Sequence, residues 1–219
     1  MTEHNFDLIV FDWDGTLLDS TSLIASCIQE SCVDLGLPRP ADRDASYVIG
    51  MGLQDALMHA APTLPRERHR ELALRYRHHY QSRQHELVLF EGAFDLLLAL
   101  KSRRHRLAVA TGKSRVGLDE ALATARMQGV FDATRTADET ASKPDPRMLR
   151  ELMDELGVAP DRTLMIGDTT HDLQLAANAG AASVAVSYGA HPGDALGGLA
   201  PRHVARSVDD LQRWLLRHG

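Results

Sequence analysis

Carboxylate side chains follow two apolar runs of this chain. Asp12 and Asp14 come directly after the run Leu8 to Phe11, and Asp168 follows a second run. Carboxylates at the mouth of a buried strand repel one another and lose hydration, so they require a cation, a shared proton or hydrogen-bond donors. Without a cation of their own, these three form a set of hard oxygen ligands suited to Mg²⁺. The alternative is a plain turn at residues 14–16 that Asp12 caps.

Three further residues could bind an anion beside these carboxylates. Thr111 and Gly112 follow the apolar run at residues 106–110, and Lys143 precedes a proline. The threonine offers a hydroxyl, the glycine amide allows close approach, and the lysine supplies a fixed positive charge. A carboxylate nucleophile, a divalent cation and donors of this kind are the parts needed for phosphoryl transfer through an aspartyl-phosphate.

Short apolar runs alternate with helical patterns in the second half of the chain. Buried strands are predicted at residues 8–11, 106–110, 163–166 and 182–186, a helix at 143–156 and a loop at 188–201. Such alternation is typical of a parallel sheet with helices on both faces, so we predict an α/β fold with a Rossmann-like, doubly wound parallel sheet. Ligands bind at the carboxyl ends of such strands, near the point where the strand order reverses.

A helical block interrupts this pattern after the first strand. Between residues 21 and 85 the apolar side chains recur at helical spacing, and no segment alternates like a strand. We therefore predict a small α-helical cap inserted at residues 19–88. The remaining residues, 1–18 and 89–219, are predicted to form the catalytic core.

The composition is that of an ordinary globular protein, with 44% hydrophobic residues and a net charge of −6 over 219 residues. No overall cationic field exists to bind nucleic acid, although a local pocket could still bind a small anion. Cys27 and Cys32 fall on different faces of a predicted helix, which indicates packing rather than a disulfide or zinc site. The first seven residues do not resemble a signal peptide, and no apolar run is long enough to span a membrane. We expect a cytoplasmic protein without nucleic-acid or membrane partners.

Four short segments resemble the motifs of the haloacid dehalogenase superfamily of hydrolases. They are the segment Asp12 to Ser20, the pairs Thr111-Gly112 and Lys143-Pro144, and the segment Gly167 to Asp172. All four occur in the family's order, and the resemblance covers essentially the whole chain. The helical insertion is similar to the cap of the subgroup that contains phosphoglycolate phosphatase and β-phosphoglucomutase.

The resemblance implies catalytic roles for five residues. Asp12 would be the nucleophile, and Asp14 would protonate the leaving group and then activate water. Thr111, the Gly112 amide and Lys143 would hold the oxygens of the transferring phosphoryl group. A general acid at Asp14 would benefit from burial beside other carboxylates, which raises a carboxyl pKa.

The resemblance also implies a Mg²⁺ site. Asp12, Asp168 and the backbone carbonyl of Asp14 would be ligands, and Asp172 would lie in the metal shell or position a water. An acidic residue in the first turn of a helix is favoured by the helix dipole in any case, so Asp172 has a structural explanation as well.

Substrate selection would fall to the cap. Gly50 and Met51 belong to a segment that is either an ordinary turn between helices or a loop that reaches over the site to select the leaving group. The Arg- and His-rich run at residues 66–85 fits a solvated helix face, although its positive field could attract an anionic substrate. Lys113 and Arg115 are interpreted as solvated residues or phosphate-steering residues and receive no role.

The sequence therefore predicts a Mg²⁺-dependent phosphatase, a phosphoric monoester hydrolase acting on a small phosphorylated metabolite as phosphoglycolate phosphatase does. A sugar-phosphate mutase and a pyrophosphatase are the alternatives within the family. Metal-free dehalogenation is disfavoured, because that reaction needs neither the acid Asp14 nor a metal ligand at Asp168. A different class is a receiver-like signalling module phosphorylated on Asp12, but such a module would need no cap. A non-catalytic binding protein would be the interpretation if assays detected no hydrolysis.

Overall fold

The structure, a computed structural model, describes residues 5–219. Its strands are β1 (Leu8–Phe11), β2 (Leu18–Asp19), β3 (Val88–Leu89), β4 (Arg106–Thr111), β5 (Ala133–Thr136), β6 (Thr163–Gly167), β7 (Ala182–Val186) and β8 (Val204–Ala205). Six of them form a parallel sheet in the order β5-β4-β1-β6-β7-β8. The order runs outward from β1 in both directions, which confirms the Rossmann-like, doubly wound sheet and places the switch point beside β1.

Helices cover both faces of this sheet. The helices are α1 (Thr21–Asp34), α2 (Asp42–Tyr47), α3 (Leu53–Ala60), α4 (His69–Arg83), α5 (Ala93–Ser102), α6 (Arg115–Thr124), α7 (Arg147–Leu156), α8 (Thr170–Ala179), α9 (Gly193–Gly197) and α10 (Val208–His218). Ile9 and Phe11 pack into a cluster with apolar residues of α5, α6 and α10. Leu8 and Val10 point to the opposite face and pack against α7 and α8. Each fully buried side chain of this size stabilises the fold by about 1.5–3 kcal/mol, so β1 is a firm base for the residues that follow it.

The helices α1 to α4 pack around an apolar cluster of their own. Ile28, Val48, Leu57 and Leu72 are among its buried members. The chain enters and leaves this unit through β2 and β3, which pair antiparallel with each other and lie outside the main sheet. We therefore keep the division into a cap at residues 19–88 and a core as a proposal.

Two predicted elements differ from the structure. The helix predicted from Lys143 begins at Arg147, because a turn comes first in which the Asp145 amide donates to the Ser142 carbonyl at 3.1 Å. The Asp145 carboxylate then accepts from the Arg147 amide at 2.9 Å. The Lys143-Pro144 bond in that turn is cis. The predicted loop at residues 188–201 contains the short helix α9.

Within residues 5–219, no helix has both the length and the apolar character that a bilayer-crossing segment requires. The expectation that no signal peptide is present rests in part on residues 1–4, which lie outside the described residues.

Candidate active site

The site begins in the tight turn that follows β1. Gly15 has a φ of 79°, in the left-handed region that glycine adopts without strain, and its amide donates to the Leu18 carbonyl at 2.8 Å. A methyl group at Gly15 would overlap the carboxylate of Asp168. The turn therefore places Asp12 and Asp14 directly beside the end of β6.

Three buried carboxylates meet at this edge of the sheet. One ligand oxygen from each of Asp12, Asp168 and Asp172 lies within 4.8 Å of the others. Asp168 is fixed by two donors, the Thr16 hydroxyl at 3.0 Å and the Ala190 amide at 2.7 Å. The three side chains come from two strand ends and the first turn of α8, as the doubly wound topology requires.

Lys143 connects two of these carboxylates. Its Nζ atom lies 2.6 Å from Asp12 Oδ1 and 2.6 Å from Asp172 Oδ1, and its side chain is fully buried. Burial alone would lower the pKa of Lys143, but attraction to the two carboxylates outweighs it and raises the pKa, so the ammonium stays charged.

Asp172 has donors on both of its oxygens. Besides the bond from Lys143, its Oδ2 atom accepts from the Thr169 amide at 3.0 Å and the Thr169 hydroxyl at 2.7 Å. The contact from the Thr169 amide, together with the Asp172 amide that donates to Thr169 Oγ1 at 3.4 Å, forms the capping box that begins α8. Asp172 is thus a helix-capping residue, as its place in a first helical turn allowed, and it also holds Lys143.

The electrostatics of the site call for a cation. Burial raises the pKa of Asp12 to about 7, and repulsion from Asp172 and Asp14 adds to this while Lys143 opposes it. Burial, together with repulsion from Asp12 and Asp172, raises the pKa of Asp168 well above its ordinary value. Asp12 Oδ2 is buried and has no hydrogen-bond partner among the described residues. An unpartnered carboxylate oxygen beside two further carboxylates fits a hard divalent cation such as Mg²⁺.

Thr111 and Gly112 lie at the end of β4, beside β1. The parallel register pairs Phe11 with Val109, so Thr111 reaches the same edge of the sheet as Asp12. Thr111 is buried, and its Oγ1 atom accepts from the Lys113 amide at 3.2 Å. The proposed phosphate-binding pair therefore lies at the same edge of the sheet as Asp12.

The segment of residues 50–52, which connects α2 and α3 of the cap, lies against the core at three points. A side chain at Gly112 would overlap the Met51 carbonyl oxygen, so the glycine permits a close approach of two backbones. A methyl group at Gly50 would come within 3.1 Å of the Thr169 hydroxyl. The Gly52 amide donates to Ser142 Oγ at 2.8 Å. The segment that contains Gly50 and Met51 therefore rests directly on the residues around the carboxylate cluster.

Lys113 is the main residue whose position the sequence interpretation missed. Of the two interpretations, solvated or phosphate-steering, the solvated one is wrong, because its side chain is about nine-tenths buried and its Nζ atom lies 3.1 Å from Asp14 Oδ2. The same Nζ atom donates to the Tyr80 hydroxyl of α4 at 2.9 Å. Asp14 also accepts from the Ser20 hydroxyl at 2.7 Å. The position directly after Thr111-Gly112 was the available signal, since it puts Lys113 at the same edge of the sheet.

A second cap contact surrounds Tyr47, at the end of α2. Its carbonyl oxygen lies 2.8 Å from His171 Nε2 and 3.0 Å from His191 Nε2. The Thr170 amide donates to His191 Nδ1, so Nε2 carries the proton and donates to Tyr47. The rings of Tyr47 and His191 stack at 5.4 Å. His171 lies in the first turn of α8 and helps hold the cap on the core.

The sequence model of haloacid dehalogenase-like hydrolases matches residues 9–186, which include every residue of the carboxylate cluster. The chain belongs to this family. A relative, the phosphoglycolate phosphatase of Aliivibrio fischeri (strain ATCC 700601 / ES114), is 32% identical over 89% of this chain and 89% of its own length. The pyrophosphatase PpaX of Halalkalibacterium halodurans is 30% identical over 93% of this chain and 94% of its own length.

The fold of this haloacid dehalogenase-like protein is shared with solved structures. A putative haloacid dehalogenase-like hydrolase from Bacteroides fragilis superimposes with a TM-score of 0.86 over 94% of this chain and 99% of its own, at 23% identity. At that identity the likeness concerns the fold alone. It covers cap and core together.

Proposed function

We propose that the protein is a Mg²⁺-dependent phosphatase that hydrolyses a small phosphate monoester, of which phosphoglycolate is the first candidate, through an aspartyl-phosphate. One observation carries the proposal. Lys143 is buried and holds Asp12 by one oxygen, while the other oxygen of Asp12 is buried without a partner beside Asp168. A buried carboxylate held in this way is oriented for attack, and structural roles such as capping do not require it.

The proposed reaction has two steps. In the first, a carboxylate oxygen of Asp12 forms a bond to phosphorus, the bond from phosphorus to the ester oxygen breaks, and Asp14 gives that oxygen a proton. In the second, Asp14 takes a proton from water, the water oxygen bonds to phosphorus, and the bond to Asp12 breaks. Phosphate leaves, Asp12 is again a carboxylate, and Asp14 is again the carboxylic acid that began the first step.

The remaining residues position the phosphoryl group. Thr111, the Gly112 amide and Lys143 would hold its oxygens at the end of β4 and in the turn before α7. Asp12, Asp168 and the backbone carbonyl of Asp14 would hold Mg²⁺. The ion, when bound, would neutralise charge on the phosphoryl oxygens and orient them for in-line attack.

Asp172 remains in the proposed metal site as an outer member. Both of its oxygens already have protein donors, so we assign it to orienting Lys143 and a water of the metal shell. The cap encloses the reaction and excludes bulk water, and it must open for substrate to enter.

The relatives suggest two substrates for the same chemistry. Phosphoglycolate and pyrophosphate differ in the group that leaves, a glycolate in one case and a phosphate in the other. A sugar-phosphate mutase would require a cap group that reorients a bisphosphate, and the contacts between cap and core give no reason to prefer it.

The test is phosphate release from phosphoglycolate, pyrophosphate and p-nitrophenyl phosphate, with Mg²⁺ and with EDTA. Asp12→Asn is expected to lower kcat by at least about 10³-fold on every substrate. Asp14→Asn is expected to lower kcat by about 10²- to 10⁴-fold on phosphoglycolate but less on p-nitrophenyl phosphate, whose leaving group needs little protonation.

Asp161→Asn, an exposed change remote from the site, is the control and is expected to keep full activity. Mass spectrometry of the Asp14→Asn variant after brief exposure to substrate should detect a phosphoryl group on Asp12. Full activity of Asp12→Asn, or turnover that is unaffected by EDTA, would refute the proposal.

A further inference from the structure

The reaction proposed above does not use Lys113, although Lys113 is the buried cation next to the proposed general acid. Its ammonium lies between the core and the cap, 3.1 Å from Asp14 Oδ2 and 2.9 Å from the Tyr80 hydroxyl. The Lys113 side chain is about nine-tenths buried, and the Asp14 carboxylate lies beside it as a counter-ion. An ammonium has three N–H donors, and these two contacts occupy two of them.

The position of Lys113 relative to Asp14 defines what it can reach. A general acid must approach the ester oxygen to within about 3 Å to protonate it. The rest of the leaving group then extends from that oxygen past Asp14. Lys113 Nζ is 3.1 Å from the same carboxylate, so a group one or two bonds beyond the ester oxygen would come near this ammonium.

The cap side of Lys113 is aromatic. Its Nζ atom lies 4.8 Å from the centre of the Tyr80 ring, and Tyr76 stacks on Tyr80 at 5.9 Å. Both tyrosines belong to α4 and pack against the apolar cluster of the cap. A bulky leaving group would have to displace these rings, whereas a short one bearing negative charge would meet the ammonium. A buried cation interacts more strongly with an anionic partner than with a neutral one.

We infer that Lys113 recognises a second anionic group on the leaving group, a carboxylate or a phosphate close to the bridging oxygen. The protein would thus act on short phosphate esters or anhydrides whose leaving group is itself an anion. Tyr80 is the positioning residue, since it holds the Lys113 ammonium from the cap only when the cap lies on the core. This inference rests on the proposed function, because it takes Asp14 as the group that meets the leaving oxygen.

The test compares substrates that differ only in leaving-group charge. Phosphoglycolate carries a carboxylate, and 2-hydroxyethyl phosphate carries a neutral hydroxymethyl group at the same place. Pyrophosphate tests a phosphate as the second anion. The wild-type protein with Mg²⁺ is expected to have a kcat/KM at least about 10-fold higher for one or both anionic substrates than for 2-hydroxyethyl phosphate.

Lys113→Met keeps the length of the side chain and removes its charge. It is expected to lower kcat/KM for the preferred anionic substrate by about 10- to 100-fold, mainly through KM, because a charged hydrogen bond of that size is lost. The loss on 2-hydroxyethyl phosphate should be clearly smaller. Lys113→Arg should keep the preference for an anion, and Tyr80→Phe should raise KM for the anionic substrate by a few fold.

Two results would overturn the inference while leaving the phosphatase standing. One is a wild-type protein that hydrolyses the neutral ester as well as the anionic substrates. The other is an equal loss on charged and neutral substrates in Lys113→Met, which would mean that Lys113 acts only through Asp14. If Lys113→Met does not fold, the comparison of Lys113→Arg and Tyr80→Phe across the same substrates decides between these outcomes. Absence of any hydrolysis by the wild-type protein would instead refute the proposed function, and this inference with it.

Discussion

Replacing Lys143 by methionine tests how much of the site's stability depends on one buried cation. The change removes two charged hydrogen bonds of 2.6 Å and leaves Asp12 and Asp172 without their shared counter-ion. Loss of one partner of a buried ion pair costs about 3–5 kcal/mol, because the remaining charge stays buried. For a chain of this size, 1 kcal/mol corresponds to about 2–4 °C in Tm, so we expect Tm to fall by about 6–20 °C in EDTA.

The loss should depend on pH in a direction that the structure fixes. Burial already raises the pKa of Asp12 from its ordinary value near 3.8 to about 7. A carboxyl whose pKa is raised by folding weakens the folded state as pH rises from the unfolded pKa to the folded one. Without Lys143 the pKa of Asp12 rises further, so the penalty extends to higher pH. The Tm difference between wild type and variant should therefore be larger at about pH 8 than at about pH 5.

Lys101→Met provides a matched control, since Lys101 also makes a 2.6 Å hydrogen bond, but to the Val130 carbonyl at a partly exposed position of α5. That change is expected to cost about 1 kcal/mol and to show no comparable pH dependence. Thermal unfolding followed by circular dichroism, in EDTA and across pH, measures both variants. A Lys143→Met variant no less stable than Lys101→Met, or a deficit that shrinks as pH rises, would refute the reasoning.

Two further predictions concern the metal site. Gly15→Ala should lower Tm in EDTA and weaken Mg²⁺ binding more than Gly36→Ala does, because both residues have positive φ but only Gly15 lies against Asp168 while Gly36 has open space around it; equal effects of the two changes on Mg²⁺ affinity, measured by calorimetry, would contradict this. The Tm increase caused by Mg²⁺ should grow between about pH 6 and about pH 8, because below a pKa of about 7 the ion must displace a proton from Asp12; an increase that becomes smaller over this range would show that Asp12 is not a ligand.

The fold was predictable where the sequence carries long, consistent patterns. The apolar run at β1 is buried on both faces in the structure, and the strands and helices of the core alternate as expected. The pattern fails for short elements. Each of β2 and β3 has two residues, and α9 has five, so none spans enough chain for a periodicity to appear. The start of α7 was predicted too early because Pro144 and Pro146 are as compatible with the first turn of a helix as with a turn that precedes it.

The core half of the site was predictable because chain topology determines it. Residues that directly follow parallel strands must meet at one edge, and Asp12, Thr111 and Asp168 do. The contacts of Lys143 were harder to predict, because the sequence determines neither the turn around this residue nor the two carboxylates that it bridges. Its contacts depend on how far α7 and α8 stand from β1, which no local pattern encodes.

The cap half of the site could not be predicted for a different physical reason. The cap meets the core largely through backbone groups: the Tyr47 and Met51 carbonyls and the Gly52 amide. Every residue has these groups, so the sequence of the loop carries little information about them. The contact between Lys113 and Tyr80 is made by side chains instead, and it joins residues 33 positions apart in two different units. If backbone contacts close the cap and this pair recognises the leaving group, closure should tolerate a change of the Met51 side chain, whereas substrate preference should not tolerate loss of the Lys113 charge.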